Sequence, residues 1–589
     1  MLLVLTGDKN ISQHVSQEEV VYLGKWCLVN DEKHHFDLGN RHILPYPFDE
    51  LNSSYTTYQY LQKVYQALLP QFVRVFNHVH HVHYSQRYWE IVIGYWLREY
   101  LEILYERYTC ICAAHKVYPM AHVTLLDSSS YICPQNGKEF DYLYLGHLYN
   151  HQLYSQIISY LNIFTIQKLK LSSSVWGEEF RTLHVPKATM GKQAIKWICM
   201  LLSRWNRVYI ASTYIPIRIL LNLAFTFKIF PTLDTPHFFF KDKGLSRVRQ
   251  NMFSTMKTTS EFEELVKATL PFNLPRIYVE NYFNLKKKVK WFFPRKKAKI
   301  MLTANAYATN DGFKFWAAGQ TEQYQTPFVI LQHGGMSQSK WYSSEDYEKR
   351  ICDYYLTYGW ADKDNDKVIP FISNRLKFFN SQTVTGEVRG DILWVLNSYP
   401  RYAYSMFSGP AGSKFHDYLK EQTRFVSCLS HLTRQLLKCR PCSYEYGWHD
   451  LSYIEHHVGV LGQANARVSL GQLFKTMRLC VCTYNGTSVV EAFVANVPLI
   501  IYWNPQHVEV KDDMIDYFKT LHTLGILHFT PESAAVKVEE VKNNTFSWWE
   551  RPNIQIFRKD YCERFAHASP NAAKEWGDMI KKLAKEKIT

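Results

Sequence analysis

Apolar positions along this 589-residue chain change period several times. Over residues 57–76, and again over 87–108, apolar and aromatic side chains recur three and four apart, which places them on one face of a helix. A histidine-rich connector separates the two runs, so the pattern predicts a helical hairpin. The first 55 residues read as irregular apart from a strand in the opening MLLVL. The segment to about residue 295 alternates short strand-like and helix-like runs.

From residue 298 the period sharpens. AKIMLTAN (298–305) reads as a strand, DGFKFWAAGQTEQ (311–323) as a helix, and PFVILQHGG (327–335) as a strand ending in a polar turn. Strand, helix and strand in this order make a βαβ unit of a parallel sheet, whose ligand-binding atoms lie at the carboxyl ends of the strands. A less patterned stretch, 368–391, precedes a second series: ILWVLNSYP (392–400), helices near 416–437, a strand in LCVCTYNGTS (479–488), a helix over 489–494, and the strand VPLIIYW (497–503). The predicted fold class is α/β, with two Rossmann-type parallel-sheet modules facing a cleft and an added N-terminal helical hairpin. The expected domains are 1–380, 381–570, and a final helix within 571–589 that crosses back to the first module.

Composition narrows the class. Hydrophobic residues at 47% and charged residues at 21% describe a chain folded throughout. A net charge of +15 points to an anionic partner: nucleic acid, an acidic membrane face, a sugar nucleotide or a phosphorylated glycan. The densest basic run, KKKVKWFFPRKKAK, extends from Lys286 to Lys299 with Trp291, Phe292 and Phe293 between two cationic clusters. It fits an anionic membrane interface, and it fits a solvated loop equally. The twelve cysteines form no even framework, Cys439 and Cys442 being a lone CxxC where zinc would need four converging ligands. Reduced, buried cysteines and a cytoplasmic compartment are expected. The opening MLLVLTGDKN lacks the length and basic prefix of a signal peptide. The longest apolar stretch, 214–230, is interrupted by Pro216, Arg218, Asn222 and Lys228, so any membrane contact would be peripheral.

Candidate chemistry gathers at strand ends. The loop Tyr484, Asn485, Gly486, Thr487, Ser488 lies between a buried strand and a helix and offers hydroxyls, a carboxamide, a glycine and the amides of a helix N-terminus. It suits a phosphate. The same residues would also serve as a plain cap, with Ser488 and Glu491 closing a capping box. Neither a Gly-Lys-Ser/Thr P-loop nor GxGxxG occurs there, which disfavours an NTPase or a dehydrogenase. In the first module His333 follows a strand and precedes two glycines, as a general acid or base, a ligand donor, or a turn histidine. Asp311 opens a helix as an N-cap, or stands near His333 as nucleophile or base. His78, His80, His81 and His83 lack the helical spacing of a metal pair. Ser85 and Arg87 begin a helix where they would either bind a sugar or pin the hairpin, and Arg440 is similarly open.

These residues resemble a transferase family of bacterial surface-carbohydrate loci. The likeness is carried by Asn77, His80, Ser85, Arg87, Tyr88, Trp89, Gly94, Trp96 and Leu97, by Gln332, His333, Gly334 and Gly335, by Gly359 and Trp360, by LNSYPRY (396–402), and by TYNGT (483–487) with Glu491 and Pro498. Phe76 stands where that pattern has Leu, Tyr95 where it has Pro, and no Tyr-Gly follows the histidine motif. The wider relatives that this chain looks like are two-domain GT-B glycosyltransferases, including capsule-type enzymes that use CMP-activated 3-deoxy-octulosonic acid (Kdo). The resemblance implies a GT-B-like fold, an acceptor-side N-terminal domain, and a C-terminal domain holding a sugar nucleotide. NDGF (310–313) is similar to the acidic motif of retaining Kdo transferases, which would make Asp311 the nucleophile and His333 its catalytic partner.

The expectation is a glycosyltransferase that moves Kdo or a related keto-sugar acid from a CMP donor onto a bacterial surface polysaccharide. Tyr484 to Ser488 would hold the donor phosphate, Arg440 and Lys511 would neutralise it, and Glu491 would bond the ribose. His80, Ser85, Arg87, Gln332, Gly334 and Gly335 would serve the acceptor or sugar side. No metal is expected, since no DxD motif falls at the predicted strand ends, and no cofactor beyond the donor. The expected partners are the donor and a glycan or lipid-linked glycan, with peripheral membrane contact through Lys286 to Lys299 and no nucleic acid. The expected location is the cytoplasm, at the inner face of its membrane. Two rivals stand beside this: a CDP-polyol phosphotransferase of the same fold, and a non-catalytic basic RNA-binding or scaffold protein.

Overall fold

In the computed structural model of the protein, the described residues are 1–12, 19–28, 41–50, 53–172, 175–176, 207–227, 237–240, 244–294, 296–335, 343–376, 390–406 and 409–585. The expected boundary at 380/381 lies outside them, as do Arg295, residues 336–341 of the histidine loop, and the last four residues.

The described chain forms three all-parallel sheets. Those expected from the sequence are the second and third. The second orders β10-β9-β8-β7-β6, from β6 (Val208–Ala211), β7 (Ile300–Thr303), β8 (Phe328–Leu331), β9 (Tyr354–Thr357) and β10 (Val368–Pro370). The third orders β13-β12-β11-β14-β15-β16, from β11 (Ile392–Val395), β12 (Leu437–Arg440), β13 (Gly462–Gln463), β14 (Leu479–Cys482), β15 (Leu499–Tyr502) and β16 (Leu527–His528). That is the Rossmann order 3-2-1-4-5-6. Every residue of β7, β8, β11, β14 and β15 is buried, as continuous apolar runs require when helices cover both faces of a sheet.

A further sheet precedes them, ordered β3-β2-β1-β4-β5 from β1 (Leu2–Val4), β2 (Val20–Tyr22), β3 (His42–Ile43), β4 (His122–Leu126) and β5 (Thr165–Leu169). The opening residues are therefore not irregular. Strands of two or three residues show no period of their own and are recognisable only through their partners. The helical hairpin interrupts this sheet between β3 and β4 as helices Ser53–His80 and Gln86–Val117, both longer than their periodic cores. Its second helix packs against the helix Asp311–Tyr324 of the second module and is buried along most of its length.

The chain leaves the third module and returns to the second. His567 donates its backbone N–H to the Tyr358 carbonyl at 2.9 Å and accepts at its own carbonyl from Ser373 N–H at 2.7 Å. Gly359 permits this crossing, at φ 115° and with an added Cβ only 2.7 Å from the Glu563 carbonyl. The helix Ala572–Leu583 then packs on the helix Ile217–Phe227. Its Trp576, Ile580 and Leu583 share one apolar core with Ile300, Leu302, Val329 and Leu331 of the second sheet. Among the described residues no helix is long and apolar enough to cross a membrane.

Candidate functional site

Strand order in the third sheet reverses between β11 and β14, and an open α/β sheet receives its ligand in the crevice beyond the carboxyl ends at that point. A cavity of about 880 Å³ lies there. Leu396 and Asn397 after β11, Arg440 at the end of β12 and Tyr484 to Ser488 after β14 line one side, while Gly334, Gly335 and Arg375 of the second module line the other.

The local chemistry of the β14 loop decides between its two readings. The helix Thr487–Ala495 is capped by the backbone of Gly486, in extended conformation at φ −162°, with no side-chain cap. Both hydroxyls that would have capped it are used elsewhere. Thr487 Oγ1 accepts a hydrogen bond from Gly335 N–H at 3.1 Å, and the Ser488 and Tyr484 hydroxyls lie 2.6 Å apart. The N-cap position is a glycine and brings no side chain of its own, and the helix N-terminus from Gly486 to Ser488 lines the cavity. Gly486 is required because a Cβ would meet the Tyr484 ring at 2.3 Å.

The two adjacent glycines across the cleft differ. A Cβ on Gly334 would meet nothing within 4 Å, whereas one on Gly335 would lie 2.9 Å from Thr487 Cα and 2.8 Å from Val490 Cγ2. Beneath them the buried Gln332 donates from Nε2 to the Gly334 carbonyl at 2.7 Å. Its Oε1 accepts from Tyr358 N–H at 2.9 Å and Trp360 Nε1–H at 2.8 Å. Gln332 thus fixes the loop rather than facing a sugar. His333 precedes Gly334 but is not itself in the cavity wall; its side chain is 38% exposed, and its Nδ1 lies 3.9 Å from Glu348 Oε1 at ion-pair range. Glu348 is buried and accepts from the Tyr307 hydroxyl. Burial pushes its carboxyl up from the usual range, and the facing His333 opposes that shift.

Two ion pairs also span the cleft, Arg375 Nε to Glu491 Oε1 at 3.4 Å and Lys511 Nζ to Glu345 Oε1 at 3.7 Å. Lys511 is therefore at the cleft but outside the cavity wall. The wall holds Arg375, Arg440 and Lys475 against the single carboxylate Glu491, a balance that favours an anion. Arg440 donates to the Val468 carbonyl at 2.9 Å, which orients it.

Four expected site residues are elsewhere. Asp311 is buried, with Oδ1 accepting from the Tyr278 hydroxyl at 2.6 Å and paired to Lys314 Nζ at 2.7 Å, while Oδ2 accepts from Gly137 N–H at 2.9 Å. It is neither the cap, which is Asn310, nor placed in the cavity wall. His80 is buried, stacked on Tyr282 at 3.7 Å between ring centroids, with Nε2 2.9 Å from the Tyr278 carbonyl. Ser85 caps the second hairpin helix and donates to Glu322 at 2.5 Å. Arg87 pairs with Asp353 at 2.8 Å and donates to the Ile351 carbonyl at 3.1 Å, pinning the hairpin to the second module. Among the described residues no group of three or more His, Cys, Asp or Glu side chains is placed to hold a metal ion.

The sequence matches the family described as LIC12162 family transferase over residues 1–580. This chain belongs to that family. No curated protein matches it. Among solved structures it is similar to a mutant of S. aureus TarM in complex with fondaparinux, alpha-GlcNAc-glycerol and UDP, with 15% identity and TM-score 0.30 over 52% of this chain and 59% of that one. It therefore spans little more than half of that structure. Acinetobacter baumannii MurG (11% identity, TM-score 0.31) and the glycosyltransferase SnogD from Streptomyces nogalater (12%, 0.32) are each matched over 64% of this chain and 99% of theirs.

In this LIC12162 family transferase, three site residues escape sequence reasoning. Arg375 follows β10 in a stretch without pattern, Lys475 sits on a short connection, and Glu348 acquires its meaning only from the packing of its helix, Ser343–Ile351. Strand-end position would have flagged Arg375; nothing local marks the other two.

Gly335→Ala is expected to force the two loops apart and lower the melting temperature by several degrees, while Gly334→Ala leaves it nearly unchanged; thermal unfolding of both variants checks this. His80 provides a pH test. Burial pulls its pKa down from 6.5 to about 4. Between those values the unfolded chain binds the proton and the folded one does not, so stability falls as pH drops from 6.5 toward 4. His80→Phe should remove up to about 3 kcal/mol of that loss, read by urea unfolding at pH 7 and pH 4, without altering ligand binding at the cavity.

Proposed function

We propose that this protein is a glycosyltransferase that takes a sugar from a nucleotide donor, CMP-linked Kdo or a related keto-sugar acid, and transfers it to a bacterial surface glycan. One observation carries the reading: the switch-point cavity of a Rossmann-ordered sheet meets a helix N-terminus whose cap is a glycine and is closed from the facing module by the glycine pair that follows His333. Membership of a transferase family supports group transfer there.

In this reading the donor phosphate sits on the main-chain amides at Thr487 and Ser488, with Arg440, Arg375 and Lys475 offsetting its charge. The acceptor hydroxyl forms a bond to the anomeric carbon as the bond from that carbon to the phosphate oxygen breaks. The nucleotide leaves with the electron pair, and the hydroxyl proton passes to His333. Glu348 stabilises the imidazolium so formed, in the way a buried carboxylate holds a catalytic histidine. In this reading Asp311 is not the nucleophile: its oxygens are engaged by Tyr278, Lys314 and Gly137, and it does not line the cavity. It supports the helix that follows β7.

Calorimetric titration with CMP, UDP and GDP is expected to show preference for CMP. Asn485→Ala combined with Ser488→Ala should weaken nucleotide binding roughly ten- to a hundredfold, as for lost hydrogen bonds to a charged group. His333→Ala should keep nucleotide affinity and lose transfer by about a hundredfold or more. Absence of nucleotide binding, or full turnover without His333, would remove the reading. A product containing phosphodiester phosphorus would replace glycosyl transfer by polyol-phosphate transfer.

A further inference from the structure

We propose that the second module carries a docking surface for an anionic lipid bilayer, built by the helix Tyr282–Phe292 and the neighbouring segment 237–240. On that helix Tyr282, Leu285 and Val289 are buried against the module, which leaves Phe283, Lys287, Lys290 and Trp291 on the opposite stripe at i, i+4, i+7 and i+8. Single exposed apolar side chains are ordinary on a surface, but on this stripe they are grouped among cations. Here Phe283 at 62% and Trp291 at 63% exposure stand at its two ends, with ammonium groups between them. Phe239 joins them at 65% exposure. Lys288 ties that segment to the helix, its Nζ lying 4.4 Å from the Phe240 ring centroid and 3.5 Å from the Phe239 carbonyl. Phe292 turns inward onto Phe238 at 5.4 Å, so the exposed aromatics are not the contiguous trio that the sequence displays.

The charge of the patch selects the occupant. No acidic residue occurs between Asn281 and Asn310, and Lys296 and Lys297 extend the exposed basic run beyond the helix. A cavity of about 470 Å³ opens beside the stripe, walled by Tyr84, Tyr88, Phe315 and Trp316 and flanked by Lys286 and Lys290. Lys286 Nζ lies 5.0 Å from the Tyr84 ring centroid and donates to its hydroxyl at 2.8 Å. Cations above an aromatic recess match a lipid phosphate with acyl methylenes beneath it. Exposed Trp and Phe among lysines gain both hydrophobic burial and attraction at an anionic interface. A nucleic acid would satisfy the cations but would leave Phe239 and Phe283, on different segments, without a stacking ladder. The inference is independent of the donor cavity, although it would place the His333 module against the leaflet from which a lipid-linked acceptor extends.

Vesicle co-sedimentation of the full chain tests it, with phosphatidylcholine alone and with about 30% phosphatidylglycerol, at roughly 0.1 M and 0.5 M salt. Binding is expected only with the anionic lipid, weaker at the higher salt. Lys287→Glu, Lys288→Glu and Lys290→Glu together should lower partitioning at least about a hundredfold, and Phe239→Ala with Trp291→Ala about tenfold or more. Calorimetric nucleotide titration of the same variants should match the parent, which separates this surface from the cavity and reports folding. Equal binding to neutral vesicles overturns the proposal. So does charge-reversed protein that still sediments, or a short RNA oligomer that binds the parent more tightly than the vesicles and is indifferent to the aromatic substitutions.

Discussion

One backbone amide, Gly335 N–H on the Thr487 hydroxyl, joins two strand ends that belong to different sheets. The contact is close enough that no side chain fits between the loops, since a single added carbon would fall within 3 Å of the opposing backbone. That approach sets the width of the crevice at the switch point. It also ties the facing module to Thr487, the first residue of the helix Thr487–Ala495, so the helix N-terminus is fixed at the crevice. Gln332 holds the approach from beneath through three hydrogen bonds to main chain and Trp360.

Charge is distributed in two ways. Three interior carboxylates face defined partners: Asp311 with Lys314 and Tyr278, Glu348 facing His333, and Glu102 accepting from Ser405 Oγ at 2.8 Å and Met406 N–H at 2.6 Å. The last of these, with Arg107 donating to the Ala403 carbonyl at 2.6 Å, fastens the segment after β11 to the second hairpin helix. Removing one partner from a buried pair leaves an uncompensated charge, and of these contacts the ones made by Glu102 and Arg107 are those that join the hairpin to the third module. The cavity is the opposite case, where Arg375, Arg440 and Lys475 outnumber the carboxylate Glu491.

Sequence pattern was sufficient wherever burial on both faces writes a continuous apolar run, as in IMLT, FVIL, LCVC and LIIY, and the two loops that follow FVIL and LCVC, marked out by their strand-end positions, contribute to the wall of one cavity. It failed where structure is created by distant pairing. The first sheet has three strands of two or three residues, with no period to read. His80, Ser85 and Arg87 combine polar chemistry with interior or anchoring positions, and a motif cannot distinguish a histidine stacked under Tyr282 from one that faces a ligand. Asp311 did carry a local warning, because Lys314 three residues on along a helix is a ready ion partner.

The helix Ala572–Leu583 has a consequence for how the protein is made. Its Trp576, Ile580 and Leu583 complete a core whose other walls are strands that end at Pro370, with the whole third sheet intervening in the chain. During synthesis the third module can close on its own strands while one flank of the second waits, its apolar side uncovered. The nascent protein is then exposed to aggregation in the middle of the chain rather than at the growing end, and a chaperone would have its longest engagement there.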